Sequence, residues 1–201
     1  MLIIFKIVLT KYASLVILST EGQTGPENPI SEGGNMDTRI IVDGEGLTEV
    51  EVIVVPHGST GREIVLELAK KTGIEVEQAI LFIEDGDEPL NLDLVITEEA
   101  ARDVHHVHRA RRIKVLVYYQ NDAKEKAFPP STRVQVVLDW AVGPEGFKID
   151  PTIAPEMELA LHGETTELRK QAHIGRYVRH PHHELALDLI RGIVPNGSQP
   201  W

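Results

Sequence analysis

The chain has 201 residues, 42% of them apolar and 25% charged, enough apolar material for one domain or two small ones. A net charge of −11 excludes general nucleic-acid binding, which needs Lys and Arg to displace counterions from phosphates. With no cysteine, it has no disulfide scaffold, no Cys-ligated zinc and no thiol nucleophile of its own.

Residues 1–37 read as an apolar segment followed by a linker. The first 19 residues are mostly apolar, but Lys6 and Lys11 interrupt the run, no basic region precedes it, and no A-x-A site follows. TEGQTGPENPISEGGN then runs without periodicity, as a flexible linker does. Three readings fit. Codons for the residues before Met36 can spell a ribosome-binding site, which makes Met36 the start; or the segment is an anchor or signal; or it is a helix of unknown use.

After Met36, RIIVDG (39–44) and TEVEVIVV (48–55) alternate as two strands around a turn at 43–46. STGREIVLELA (59–69) follows as a helix. Thr60 and Glu63 have capping-box spacing, Ile64, Val65 and Leu68 form one stripe, and Gly73 is a stop. AILFIE (79–84) is a strand, EDGDEP (84–89) a solvated turn without calcium-loop spacing, and DVHHVHRARR (103–112) the closing strand and connector.

The pattern then starts again. RIKVLVYY (112–119) and KEKAF (124–128) are strands around Asn121-Asp122, and MELALH (157–162) is another. STRVQVVLDWA (131–141) lies over STGREIVLELA without a gap at an offset of 72 residues. This alignment predicts a second capping box, Thr132 with Gln135, a stripe of Val136, Val137 and Trp140, and a stop at Gly143. ELALDLIRG (184–192) is the last strand, with Leu185, Leu187 and Leu189 on one face, the face that anchors a core. Both units read β-β-α-β-(β)-β with long returns before the last strand, an α+β plan with one helix across a mixed sheet. At about 75–80 residues each, the units are close to the smallest size that sustains its own core.

The nine histidines raise a metal hypothesis through HPHH (180–183) and VHHVH (104–108). No H-E-x-x-H spacing accompanies them, so they read as exposed strand and loop residues and no metal or other cofactor is expected. P-loop, dinucleotide-binding and nucleophile-elbow motifs are absent as well, and no catalytic residue is expected.

A duplicated ββαββ unit whose last strand ends in Leu-Ile-Arg191-Gly192 resembles ubiquitin and its leucine-arginine-glycine tail. HHVHRARR in the first unit is similar, but runs on into the second. Over residues 39–192 the chain resembles tandem ubiquitin-like modifiers: the interferon-induced two-domain modifier of vertebrates and, more closely, the bacterial BilA type. The resemblance implies two tandem ubiquitin-like (β-grasp) domains at residues 38–111 and 112–192, and a C-terminal extension, 193–201, removed by processing. It implies a cytoplasmic protein modifier, itself no enzyme, matured by cleavage after Gly192. An E1-like enzyme activates it, an E2-like enzyme conjugates it, a JAB-type protease processes it, and a target, a phage protein in antiphage defence, receives it. Gly192 becomes the conjugating residue, with Leu189, Ile190 and Arg191 as the recognised tail and Arg109, Arg111 and Arg112 as the connector. The family usually ends in two glycines, whereas one follows Arg191 here, which leaves the processing point open. The competing reading is a non-conjugated two-domain adaptor, tethered to a membrane through its N-terminus, and for Gly192 a simple strand-ending turn.

Overall fold

The computed structural model describes residues 37–192. The apolar segment, the linker and the extension after Gly192 lie outside them. Ten main elements follow in order: β1 (Asp37–Gly44), β2 (Glu51–Pro56), α1 (Gly61–Thr72), β3 (Ile80–Ile83), β4 (Val104–His108), β5 (Ile113–Tyr119), β6 (Asp122–Phe128), α2 (Val134–Val142), β7 (Met157–Leu161) and β8 (Glu184–Arg191). They make two mixed four-stranded sheets, β2-β1-β4-β3 and β6-β5-β8-β7, each with one helix. Within each sheet the first and last strands run parallel at the centre and the other pairings are antiparallel. This is the α+β, tandem β-grasp plan expected above. The optional extra strand is reduced to isolated bridges such as Ala160 with Glu167.

Alternation decides what each strand buries. Ile40 and Val42 of β1, Ile53 and Val55 of β2, Leu81 of β3 and Val107 of β4 meet Ile64, Val65 and Leu68 of α1 in the first core. In the second, Ile113, Val115 and Val117 of β5 and Leu185, Leu187 and Leu189 of β8 meet Val137, Leu138 and Ala141 of α2. Leu187 is fully buried opposite Val117 and Leu161. Burying one such side chain stabilises the fold by about 1.5–3 kcal/mol.

The second helix departs from the expected register by one residue. Its buried side is Val134, Val137, Leu138 and Ala141, against Gly61, Ile64, Val65 and Leu68 in α1. That is an offset of 73, not 72, and it turns Val136 and Trp140 to the half-buried flank. The loop bonds agree: Ile96 donates to the carbonyl of Ser59, and Ile174 to that of Thr132. Thr132 therefore corresponds to Ser59, and Arg133 to the N-cap Thr60. The capping box of Thr60 and Glu63 is present, but Arg133 caps α2 without a side-chain bond. The expected Thr132–Gln135 box does not form. Two carbonyls of the return loop satisfy the first-turn amides instead, from Val134 to Ala172 and from Gln135 to Lys170, as Leu94 and Leu92 accept from Gly61 and Arg62.

Candidate functional site

β8 carries the residues that the resemblance assigns to the tail, and they divide by environment. Leu189 is buried in the second core, opposite Leu159, while Ile190 lies half-buried beside Glu158. Arg191 is largely exposed, and its Nε donates to Glu156 at 2.6 Å. Gly192 leaves the strand at once, yet its N–H is still held by the carbonyl of Glu156 at 2.7 Å. A Cβ at Gly192 would sit 2.9 Å from the Cγ of Glu158, so the last glycine passes close over the start of β7.

The connector between β4 and β5, residues 109–112, is partly fastened. Arg109 grips buried Glu45 through its Nε at 3.2 Å and one terminal nitrogen at 2.6 Å. Glu45 also accepts from the N–H of His180 at 2.7 Å, so one carboxylate ties the connector of the first domain to the last return of the second. Burial alone would raise this carboxyl. The Arg109 guanidinium and the amides of His180 and Arg109 outweigh burial and hold it at about 2. Among the described residues Arg111 and Arg112 make exposed pairs, to Glu88 and Asp87.

The histidines of β4 are a correction to the expected exposure. His105, His106 and His108 are all buried, and only His180, His182 and His183 of the two groups are exposed. Alternation puts Val107 on the α1 side, so His106 and His108 point to the other side of the sheet, with Asp43 beside His106 in the β1–β4 register. That outer face is covered by the return of the second domain. His108 Nε2 lies 3.1 Å from the carbonyl of Val178, and the His106 ring meets the His173 ring edge-on at 5.1 Å.

Asp43 sits at the middle of this seam, fully buried. Its Oδ1 accepts from the N–H of Gly44 at 2.8 Å and from Arg176 at 2.8 Å; its Oδ2 lies 2.8 Å from Nδ1 of His173. The Nε2 of His173 faces Glu84 at 3.0 Å. Burial would raise the carboxyl of Asp43, but His173 and Arg176 hold it well below the usual range. His106 is driven well below the ordinary imidazole range, first by burial and then by His173, and stays neutral. Among the described residues neither of its ring nitrogens has a hydrogen-bond partner. One ligand atom each from Asp43, His106 and His173 lies within 4.8 Å of the others, so these residues could hold a metal.

The turn read as solvated also belongs to the seam. Asp85 accepts from the N–H and Nε of Arg133 at 2.9 and 2.6 Å and donates its own amide to the carbonyl of Ser131. No sequence motif marks Asp43, Glu45, Glu84, Asp85, Arg133, His173 or Arg176. Their pairings span up to 135 residues, and the only local signal is an acidic pair between glycines in DGEG. Among the described residues no helix is long and apolar enough to cross a membrane.

Comparison with known proteins adds a family. Residues 114–192 match the family model described as BilA ubiquitin-like domain 2. Among solved structures, the N-terminal ubiquitin-like domain of the 4931431F19Rik protein is similar at 11% identity, covering 51% of this chain and 99% of its own, with a TM-score of 0.31. No curated protein matches the chain. The second domain carries that match and a domain of the same strand order precedes it, so the chain holds two ubiquitin-like domains in tandem, the second of which matches the BilA family model.

Proposed function

We propose that the chain is a conjugatable protein modifier whose reactive group is the carboxylate of Gly192, released when a JAB-type metalloprotease hydrolyses the Gly192–Ile193 bond. The observation that carries this reading is that two ends fall within one residue of each other. The match to the BilA ubiquitin-like domain 2 finishes at Gly192, and β8 finishes one residue earlier, at Arg191.

The chemistry asks little of the chain and much of its partners. The Gly192 carboxylate attacks the α-phosphate of ATP on an E1-like enzyme and pyrophosphate leaves. A cysteine thiolate of that enzyme displaces AMP to give a thioester, which passes to the thiol of an E2-like enzyme. A target lysine amine then displaces the thiolate and forms an isopeptide bond. With no cysteine of its own, the chain acts as substrate and its partners supply the nucleophiles. Glycine suits the reacting end because, without a Cβ, its carbonyl is approached closely. The cytoplasmic setting, the bacterial source, antiphage defence and a phage protein as target follow from the resemblance to the BilA type.

The geometry also says what a processing enzyme must overcome. Freeing the end of β8 from β7 breaks the Gly192–Glu156 hydrogen bond and the exposed Arg191–Glu156 pair. A hydrogen bond contributes about 0.5–1.5 kcal/mol and an exposed pair about 0–1, so release costs roughly 1–2 kcal/mol. A binding channel can supply that much. The experiment is a thioester assay: chain ending at Gly192, its E1-like partner and ATP. A thiol-sensitive adduct is expected, and a chain ending at Arg191 should give about 100-fold less. Equal charging of both chains would refute the role of Gly192.

A further inference from the structure

We propose that Asp43, His106 and His173 form a buried site for a divalent transition cation of the zinc type, which staples the two ubiquitin-like domains together. Asp43 and His106 come from neighbouring central strands of the first domain, and His173 comes from the return before β8 of the second. The three ligand atoms lie within 4.8 Å of one another and all three residues are buried. Four-coordinate zinc with bonds of about 2.0–2.1 Å places its ligand atoms roughly 3.3 Å apart, so side-chain movements of about an ångström close the site.

Two independent features point to a cation. First, both ring nitrogens of His106 lack a partner at a fully buried position. An unpaired buried polar group is costly, and a metal bond to one of the two nitrogens removes that cost at that nitrogen. Second, the other two residues already have the outer contacts that metal ligands use. His173 turns Nδ1 toward Asp43 and Nε2 toward Glu84, so the ring can keep Nε2–H donated to Glu84 while a metal displaces the Nδ1 proton to solvent and takes its place between Nδ1 and Asp43. Asp43 receives Gly44 and Arg176 on Oδ1, which leaves Oδ2 as a single ligand oxygen. Two imidazoles and one carboxylate are a donor set that zinc accepts.

The test is zinc titration of the full chain, stripped with chelator, followed by thermal unfolding and metal analysis. One equivalent of zinc should bind. At a hundredfold excess over its Kd, the midpoint should rise by roughly 5–10 °C. His106→Leu removes the unpaired imidazole but none of the hydrogen bonds of Asp43 or His173, and it should weaken zinc binding at least about 100-fold and abolish the shift. A His182→Ala, His183→Ala variant, which alters only exposed imidazoles, should behave as the wild type. Absence of zinc binding by the folded wild-type chain would overturn the proposal and leave the seam to hydrogen bonds and ion pairs alone. Zinc binding of equal affinity in His106→Leu would overturn it too. The same holds for binding lost in the His182, His183 variant, which would place the ion on the exposed loop.

Discussion

Replacing Glu45 by glutamine keeps the shape of its side chain and removes its charge. The carboxylate is buried, with its side chain 2% exposed, and it accepts from Arg109 and from the amide of His180. In the folded chain it titrates at about 2 against an ordinary 4.5. The difference of about 2.5 units, at 1.36 kcal/mol each, makes the charged form worth roughly 3 kcal/mol. Because the folded value is the lower one, this stability is fully present above pH 4.5 and is lost as pH falls through 4.5 toward 2. Glu45→Gln should therefore unfold about 3 kcal/mol more easily at pH 7, a fall in midpoint of roughly 6–12 °C, and the deficit should shrink toward zero near pH 2. Urea unfolding of both proteins in chelator, between pH 2.5 and 7, measures this directly. A deficit below about 1 kcal/mol at pH 7, or one that does not change with pH, would refute a buried, charged Glu45 joining the two domains.

Two further substitutions test the local structure. Thr60→Ala removes a formed capping box and should cost about 1 kcal/mol in urea unfolding, while Gln135→Ala, at the box that does not form, should cost less than about 0.5. Ala141 is buried on α2 and its sequence counterpart Ala69 is only half-buried on α1, so Ala141→Leu should cost about 1–3 kcal/mol and Ala69→Leu much less. Equal costs at the two positions would restore the 72-residue alignment.

The strands were legible because alternation is local. Leu185, Leu187 and Leu189 announce which face of β8 is buried, and the observed strand begins and ends within a residue of that pattern. The register of α2 was not legible. Identities at Ser131, Thr132 and Ala141 drew the alignment to 72, whereas packing of Val134, Val137, Leu138 and Ala141 sets 73. A helix tolerates that slip in sequence because Val136 and Val137 are equally apolar, and only packing into the second core, against β7, chooses between them. Its cap was missed for a related reason: carbonyls of Ala172 and Lys170, more than 30 residues away, take the place of a side chain. Burial of His106 and His108 was hidden more deeply. A run of alternating histidines reads as a wet strand face until a second domain is laid over it, and the covering residues, His173 to His180, lie some 65–70 positions later. Asp43 and Glu45 follow the same logic, since acids beside turn glycines are usually solvated and only Arg109, His173 and Arg176 make them buried partners.

The central claim is that the chain matures to a free Gly192 carboxylate. The direct measurement is the intact mass of the protein recovered after co-expression with an active JAB-type peptidase partner. The account predicts a species ending at Gly192, formed only with active peptidase. A species still ending at Trp201 alongside that active enzyme would contradict it and favour a two-domain adaptor that works through its surfaces.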